Sequence, residues 1–232
     1  MRRRPILAGG LLALTLLATG CTGGGDPEPA PRSAAERLAA AQKVLTDAGD
    51  VTFELTSTGV PETENGVSAA TGDGVVSATE PKFEGTITGT VRGVAATVDV
   101  IAVGEDTYLK LFTPDYREFD LSTLNAPNPA TFFDPEAGLP GLLPQTQSPA
   151  LGGQKRAGGD VLTEITGTLP GKQVSDLFHL GDGTEDFDVT YGLTEDDQLR
   201  TAVIAGPFFG DTDSTYTATL SDYGVPVEIT RP

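Results

Sequence analysis

Apolar positions near residue 40 recur with the spacing of a helix. They lie three and four residues apart, at Leu38, Ala41, Val44 and Leu45. Ser33 stands three positions before Glu36, which is the spacing of a capping box, and Gly49 is the first glycine beyond the apolar set. The pattern therefore predicts one amphipathic helix between Ser33 and Gly49.

Beyond residue 50 apolar and polar positions alternate, which is typical of strands with one buried face. The clearest stretch spans residues 82–92, and its apolar face carries Phe83, Gly85, Ile87, Gly89 and Val91. Further strands are predicted at residues 51–57, 94–103, 107–112, 161–169, 187–193, 199–205, 215–220 and 225–230. Turn-forming residues at 72–74, 181–183 and 195–197 separate several of them, and the short connections favour antiparallel pairing.

Residues 125–153 interrupt this alternation because they are rich in proline and glycine. They also carry large apolar side chains, at Phe132, Phe133, Leu139, Leu142, Leu143 and Leu151. We expect short helices and loops here that cover the apolar face of the sheet, since so many apolar side chains need a packing partner. A second short helix is predicted at residues 170–177, where proline stands in the first turn.

The predicted helices are too few to cover a sheet of eight or nine strands, and two interpretations follow. In the first, an apolar cavity remains, and the small residues Gly85 and Gly89 on the apolar face enlarge it. In the second, the sheet folds over into a filled sandwich, and the glycines mark bulges or bends. The alternation of residues does not choose between them.

The N-terminus has the pattern of an exported lipoprotein. Arg2, Arg3 and Arg4 precede an uncharged apolar stretch at 5–19, which is shorter than the ~20 residues of a membrane-spanning helix. The ending at 17–21, Leu-Ala-Thr-Gly-Cys, resembles the bacterial lipobox, and a buried core thiol is a poor alternative for Cys21 because Thr-Gly-Gly-Gly follows it. We expect a cleaved signal peptide at 1–20, a lipidated flexible tether at 21–33 and one β-rich domain at 34–232. The expected location is the outer face of the cell membrane.

Composition narrows the classes of function further. The chain has 232 residues, with 15 Lys and Arg against 33 Asp and Glu, and its net charge of −18 argues against binding nucleic acid. It has one Cys, one His and no Trp, so disulfide frameworks and clustered Cys/His metal sites are excluded. Neither a cofactor nor a metal is predicted.

An enzyme is not favoured by the inventory of residues. His179 stands at a predicted helix end, where a capping or surface role is more usual than that of a general base. The sequence contains no Gly-x-Ser-x-Gly, Ser-x-x-Lys or His-Glu-x-x-His motif. The acidic residues at 182–188 and 195–197 have the pattern of solvated turns, and 210–214 lacks the spacing of a calcium loop.

Several stretches in order resemble the actinobacterial LppX/LprG-type lipoproteins, the LppX_LprAFG family. Besides Cys21 they are the helix at 38–47 leading into VTFEL at 51–55, GEDTYLKL at 104–111, FFDPEAGL at 132–139, ITGTLPGKQV at 165–174 and TLSDYGVPVEIT at 219–230. The resemblance implies an α+β fold, in which a large curved antiparallel sheet, a half-barrel, carries a few helices over an apolar cavity for acyl chains. It implies a carrier, not an enzyme, that binds lipids or glycolipids and helps transfer them across the envelope.

The resemblance also suggests which residues line the cavity. Ile87 aligns with an apolar cavity position of the family. The further candidates are Phe83, Val91, Val98, Val100, Leu109, Leu111, Phe132, Phe133, Leu139, Leu142, Leu143 and Ile165. Each could equally be ordinary core. The expected partners are an acylated lipid or glycolipid, the membrane through the N-terminal anchor, and a membrane lipid transporter as a further candidate, with the chain a monomer. The competing hypothesis is a surface lipoprotein with a filled β-sandwich core that binds a protein partner.

Overall fold

One antiparallel sheet organises the part of the chain that the structure describes. The structure is a computed structural model, and it describes residues 31–111, 114–210 and 212–232. The predicted signal peptide at 1–20, Cys21 and most of the tether at 21–33 lie outside the described residues. Residues Arg32–Pro232 form one compact unit, and its buried apolar side chains run from Ala34 to Ile229. A chain that begins at residue 22 therefore keeps every core contact described below.

Eleven strands make up the sheet in the described residues. They are β1 Asp50–Thr58, β2 Gly66–Val75, β3 Lys82–Val91, β4 Val94–Val103, β5 Asp106–Lys110, β6 Arg117–Glu118, β7 Gln147–Ala157, β8 Asp160–Leu169, β9 Phe187–Leu193, β10 Leu199–Phe209 and β11 Thr212–Ser221. Their order is β6-β5-β4-β3-β2-β1-β11-β10-β9-β8-β7, and each pair of neighbours is antiparallel. The first and last strands of the chain thus pair at the middle of the sheet.

Three α-helices and two short 3₁₀ helices pack on this sheet within the described ranges. They are α1 Ala34–Ala48, α2 Leu139–Gln145 and α3 Gly171–Phe178, with the 3₁₀ helices at Leu121–Leu124 and Pro129–Phe133. The predicted capping box is present in α1, where the Ser33 hydroxyl accepts from the Glu36 N–H and the Glu36 carboxylate accepts from the Ser33 N–H. The predicted α+β class, a large antiparallel sheet with a few helices, is confirmed.

A buried carboxylate ties the start of α1 to the turn between β9 and β10. Asp197 is only 2% exposed, and it accepts hydrogen bonds from Arg32 and from Nε of Arg37, the latter at 2.7 Å. Arg37 also donates to the carbonyl oxygen of Thr194 at 2.6 Å. Asp197 takes a left-handed φ of 58°, a conformation that Asp and Asn adopt more readily than other residues with a side chain.

One predicted turn proves to be part of a strand. Residues 72–74 lie inside β2, and a Cβ on Gly72 would collide with the backbone of Glu84 and Gly85 in β3. Gly74 likewise leaves room for the ring of Phe133. The glycines that suggested a turn are required for close packing instead. β6 was not predicted either.

Residues 147–153 were predicted as the end of a loop-rich cover, but they belong to the edge strand β7, which continues to Ala157. Nearly all of its residues are exposed, and its pairing with β8 shifts register twice, between Gln147 and Ala150 and between Leu151 and Gln154. An exposed, bulged edge strand has no buried face, so its sequence has no need to alternate.

The strand predicted at 225–230 is absent, and that segment runs without regular structure. Ile229 is 3% exposed and packs with Ile101 and Val103 of β4, and its carbonyl oxygen accepts a hydrogen bond from Lys82 at 3.1 Å. The apolar residues there cover part of the sheet without pairing with a strand, which produces alternation without a β-ladder.

Candidate functional site

An apolar cavity of about 880 Å³ lies over the half of the sheet that contains β1 to β5. β10 and β11, the two 3₁₀ helices and the end of α3 complete its walls. Its lining is mostly aliphatic and aromatic, and the ionisable groups in it are Glu64, His179 and Tyr216. A cavity of this kind suits apolar ligands, because a charged or strongly polar ligand would lose its hydration and gain few hydrogen-bond partners in return.

Aromatic rings close the inner end of the cavity. Phe83 and Phe133 are stacked with their ring centroids 5.9 Å apart, and Phe53 meets Phe133 edge-on at 5.4 Å. The 3₁₀ helix that carries Phe133 is fixed by Asn128, whose side chain accepts from the Ala130 N–H and donates to the carbonyl oxygen of Gly104, each at 2.9 Å. The rings therefore form a rigid floor.

The long wall of the cavity follows β3 and β4. Ile87 and Val98 are cross-strand partners on the cavity face, and both are only partly buried although they pack against the core. The next pair towards the end of the hairpin is Gly89 and Ala96, which are small and leave the cavity wide at that level.

The opposite wall is a cluster of rings that links α3, β10 and β11. The ring centroid of Tyr216 lies 4.7 Å from that of Phe208 and 5.1 Å from that of Phe178. The buried hydroxyl of Tyr216 has no partner in hydrogen-bonding geometry among the described residues. Burial raises the pKa of Tyr216 to about 12, and the nearby backbone N–H of Val67 acts in the opposite direction.

The mouth of the cavity is the end of the sheet where three strand connections meet. These join β1 to β2, β3 to β4 and β10 to β11. The first contributes Glu64 and Asn65 to the lining and the third Gly210, while Val91 and Val94 flank the second. Because neighbouring strands are antiparallel, all three connections lie at the same end, opposite the turn that holds Asp197. The backbone N–H of Arg92 donates to the Asn65 side chain at 2.6 Å and so ties two of them together.

Nine of the thirteen candidate residues line the cavity. They are Phe83, Ile87, Val91, Val98, Val100, Leu109, Leu111, Phe132 and Phe133. The other four, Leu139, Leu142, Leu143 and Ile165, are not in its lining and are at most 4% exposed. This corrects the expectation for residues 139–143, because α2 packs on α1 and its leucines serve the core of the other half of the sheet. Gly85 also lies outside the lining. A Cβ at that position would collide with the backbone of β2, so this glycine permits close packing of the two strands.

Several lining residues were not predicted. They are Leu55, Ala70, Phe119, Leu121, Phe178, Phe208, Phe209 and Tyr216, among others. Leu55, Phe208 and Tyr216 occupy inward positions of strands β1, β10 and β11, so alternation marks them as buried. Only the pairing of β1 with β11 shows that they share a cavity with β3, and that pairing is not visible in the sequence.

The ionisable groups near the mouth have structural roles. His179 is the left-handed residue that ends α3, and its carbonyl oxygen accepts from the Asn125 side chain at 3.4 Å. Asp182 accepts from the hydroxyl and the N–H of Thr184, and these bonds lower the pKa of Asp182. Among the described residues no group of three or more His, Cys, Asp and Glu side chains could hold a metal ion. No helix in the described ranges has the length and apolar character to cross a membrane.

The protein is thus one of those in which an open antiparallel sheet supports an apolar cavity, with the mouth of the cavity at one end of the sheet. The model of the LppX_LprAFG lipoprotein family matches residues 33–229, and the chain belongs to this family. Comparison with curated protein sequences gives no match.

Two solved structures share the fold. LprF from Mycobacterium bovis is 17% identical with a TM-score of 0.72, and the alignment covers 86% of this chain and 96% of LprF. LppX from Mycobacterium tuberculosis is 19% identical with a TM-score of 0.57, covering 84% of this chain and 99% of LppX. At these identities the likeness concerns the fold, which confirms the resemblance found in the sequence.

Proposed function

We propose that this lipoprotein binds acylated lipids or glycolipids by taking their acyl chains into the cavity, and that it transfers them across the cell envelope. The observation that carries the proposal is the cavity itself, which is apolar, open at one end and about 880 Å³ in volume. That volume lies in the range of ~300–1,000 Å³ found for small-molecule sites.

The length of the cavity suits an acyl chain. Phe83 at the floor and Val91 at the mouth are eight residues apart on β3, which corresponds to about 26 Å of strand. The acyl region of one membrane leaflet is about 15 Å deep, half of a bilayer core. A chain can therefore enter lengthwise and lie between the floor and the mouth.

The energetics of such a carrier need no chemical step. Each methylene moved from lipid into water costs about 0.8 kcal/mol, so ten exposed methylenes cost about 8 kcal/mol. An apolar cavity that accepts those methylenes offsets most of this cost. The proposed protein is a shuttle and has no catalytic residues.

The proposed anchor is a lipid group on Cys21. It would hold the protein at the outer face of the cell membrane, and the Gly- and Pro-rich tether at 21–33 would let the domain move. The proposed partners are the acylated ligand, the membrane and a membrane lipid transporter, and the proposed carrier works as a monomer. The filled-sandwich alternative is disfavoured because the described strands form one sheet with open volume beside it.

The test of this proposal fills the cavity with a side chain. The chain from residue 22 onward is incubated with envelope lipid extract, repurified and weighed by native mass spectrometry, and the bound lipid is extracted and identified. Ile87→Trp displaces two or three methylenes, worth about 2 kcal/mol, and is expected to lower lipid affinity roughly thirtyfold.

The matched control is Val161→Trp, at an exposed position of β8 outside the cavity lining, which is expected to bind lipid as the unchanged chain does. Circular dichroism must show that both variants are folded. A chain that stays at its bare mass with every lipid class overturns the proposal in favour of a lipoprotein that binds a protein partner.

A further inference from the structure

Exposed apolar side chains gather at the mouth of the cavity. Six large apolar side chains are exposed among the described residues, namely Val91, Val94, Leu111, Leu151, Val161 and Val225. Val91, Val94 and Leu111 all line the mouth, and Val94 is 65% exposed. Isolated exposed apolar residues need no explanation, but a group of three around one opening indicates a contact surface.

The connection between β3 and β4 gives this surface its shape. Arg92 and Gly93 take left-handed φ angles of 51° and 77°, as in a tight two-residue hairpin, and Val91 and Val94 flank them. We call Val91–Val94 the hairpin tip. The hydrogen bond from the Arg92 N–H to Asn65 holds the tip in place. The hairpin tip is thus a fixed feature of the fold.

The hairpin tip also carries a positive charge. Arg92 is exposed, and its guanidinium forms no ion pair with a residue that the structure describes. A guanidinium between two exposed valines matches the boundary layer of a bilayer, where phosphate oxygens lie beside the first methylenes of the acyl chains. The net charge of −18 opposes any wider contact with an anionic surface, so an attractive contact must be local.

We propose that the hairpin tip and Leu111 dock onto the surface of a phospholipid bilayer, with Arg92 on a headgroup phosphate and the valines among the upper acyl carbons. This inference rests on the proposed function. A bilayer is the occupant that fits, because the cavity opens between these same side chains. Once the mouth meets the membrane, an acyl chain passes from bilayer to cavity without crossing water.

The test measures binding to vesicles with the chain that begins at residue 22. Vesicles of phosphatidylcholine, alone or mixed with phosphatidylglycerol, are floated on a density gradient with the protein. Val94→Ser is expected to lower the bound fraction about fivefold to tenfold on both, because a buried valine contributes about a factor of ten. Arg92→Glu is expected to lower binding most on the vesicles that contain phosphatidylglycerol.

Matched controls lie at the other end of the sheet. Val225→Ser replaces a valine that is 55% exposed, and Arg156→Glu reverses an exposed arginine beside the turn between β7 and β8. Neither control is expected to change vesicle binding. If the two controls weaken vesicle binding as much as Val94→Ser and Arg92→Glu do, the contact is general and the proposed docking surface is wrong.

A second measurement separates this inference from the proposed function. Lipid is delivered from detergent micelles instead of vesicles, and occupancy is read by native mass spectrometry. Arg92→Glu, which lies outside the cavity lining, is expected to fill like the unchanged chain from micelles and several-fold more slowly from vesicles. If Arg92→Glu and the unchanged chain take up lipid from vesicles at equal rates, only the proposed docking surface is wrong. If the unchanged chain takes up no lipid from either source, the proposed carrier function is wrong.

Discussion

Tyr216 places an unpaired polar atom in a largely apolar wall. Its hydroxyl is buried without a hydrogen-bond partner among the described residues, whereas the hydroxyl of Tyr191 accepts from Thr146 at 3.2 Å. A buried group without a partner costs stability, and a paired one contributes to it. The two buried hydroxyl groups therefore make opposite contributions to the stability of the same core.

This difference predicts opposite effects for one chemical change. Tyr216→Phe is expected to raise the free energy of unfolding by about 1 kcal/mol, and Tyr191→Phe to lower it by about 1 kcal/mol. Urea unfolding followed by circular dichroism measures both. Two variants that shift stability in the same direction would contradict the description of the Tyr216 hydroxyl.

At the scale of elements, Asp197 joins α1 to the β9–β10 turn. Asp197→Asn keeps the shape and the tolerance for a left-handed φ but removes the charge that faces Arg32 and Arg37. Breaking such a buried pair is expected to lower the free energy of unfolding by about 3 kcal/mol. Thermal and urea unfolding provide the measurement.

The control for that prediction is an exposed pair on the same helix. Asp47→Asn removes the partner of Lys43, and both side chains of that pair are more than half exposed. Loss of this ion pair is expected to lower the free energy of unfolding by less than about 0.5 kcal/mol. Equal costs for Asp47→Asn and Asp197→Asn would show that the buried cluster does not fix α1.

Elements with one buried face could be predicted from the sequence, and elements without one could not. β3, β4 and β9 alternate because one face meets the core, and their predicted bounds agree with the structure to within a residue. β7 is exposed on both sides, so nothing in it alternates. β2 contains Gly72 and Gly74, whose purpose depends on β3 and on Phe133, partners distant in the sequence.

The cavity was predictable in part for the same reason. Its β3–β5 wall consists of consecutive hairpins, so residues such as Ile87 and Leu109 could be grouped from local pairing alone. The wall around Phe208 and Tyr216 depends on the pairing of β1 with β11. Leu139 and Leu143 show the converse, because a run of apolar residues does not reveal whether it faces open volume or another helix.

At the scale of the whole molecule, β11 is the strand that holds the two halves of the sheet together. A chain that ends after Phe209 lacks β11 and is expected to lose its cooperative unfolding transition, since β1 and β10 then lack their shared neighbour. A chain that ends after Gly224 keeps all eleven described strands and is expected to retain a cooperative transition at lower stability. Calorimetry distinguishes the two, and cooperative unfolding of the shorter chain would contradict the central role of β11.

The same pairing sets the order in which the chain can fold. Thr52 pairs with Ser221, so the middle of the sheet forms only after nearly the whole chain has been made. Contacts between residues so far apart in sequence form slowly. For a chain with a predicted export signal at 1–20, this delay is an advantage, because a polypeptide that has not closed its sheet remains extended enough to be threaded through a membrane pore. On this prediction folding is completed on the far side of the membrane, where the proposed ligand would be taken up.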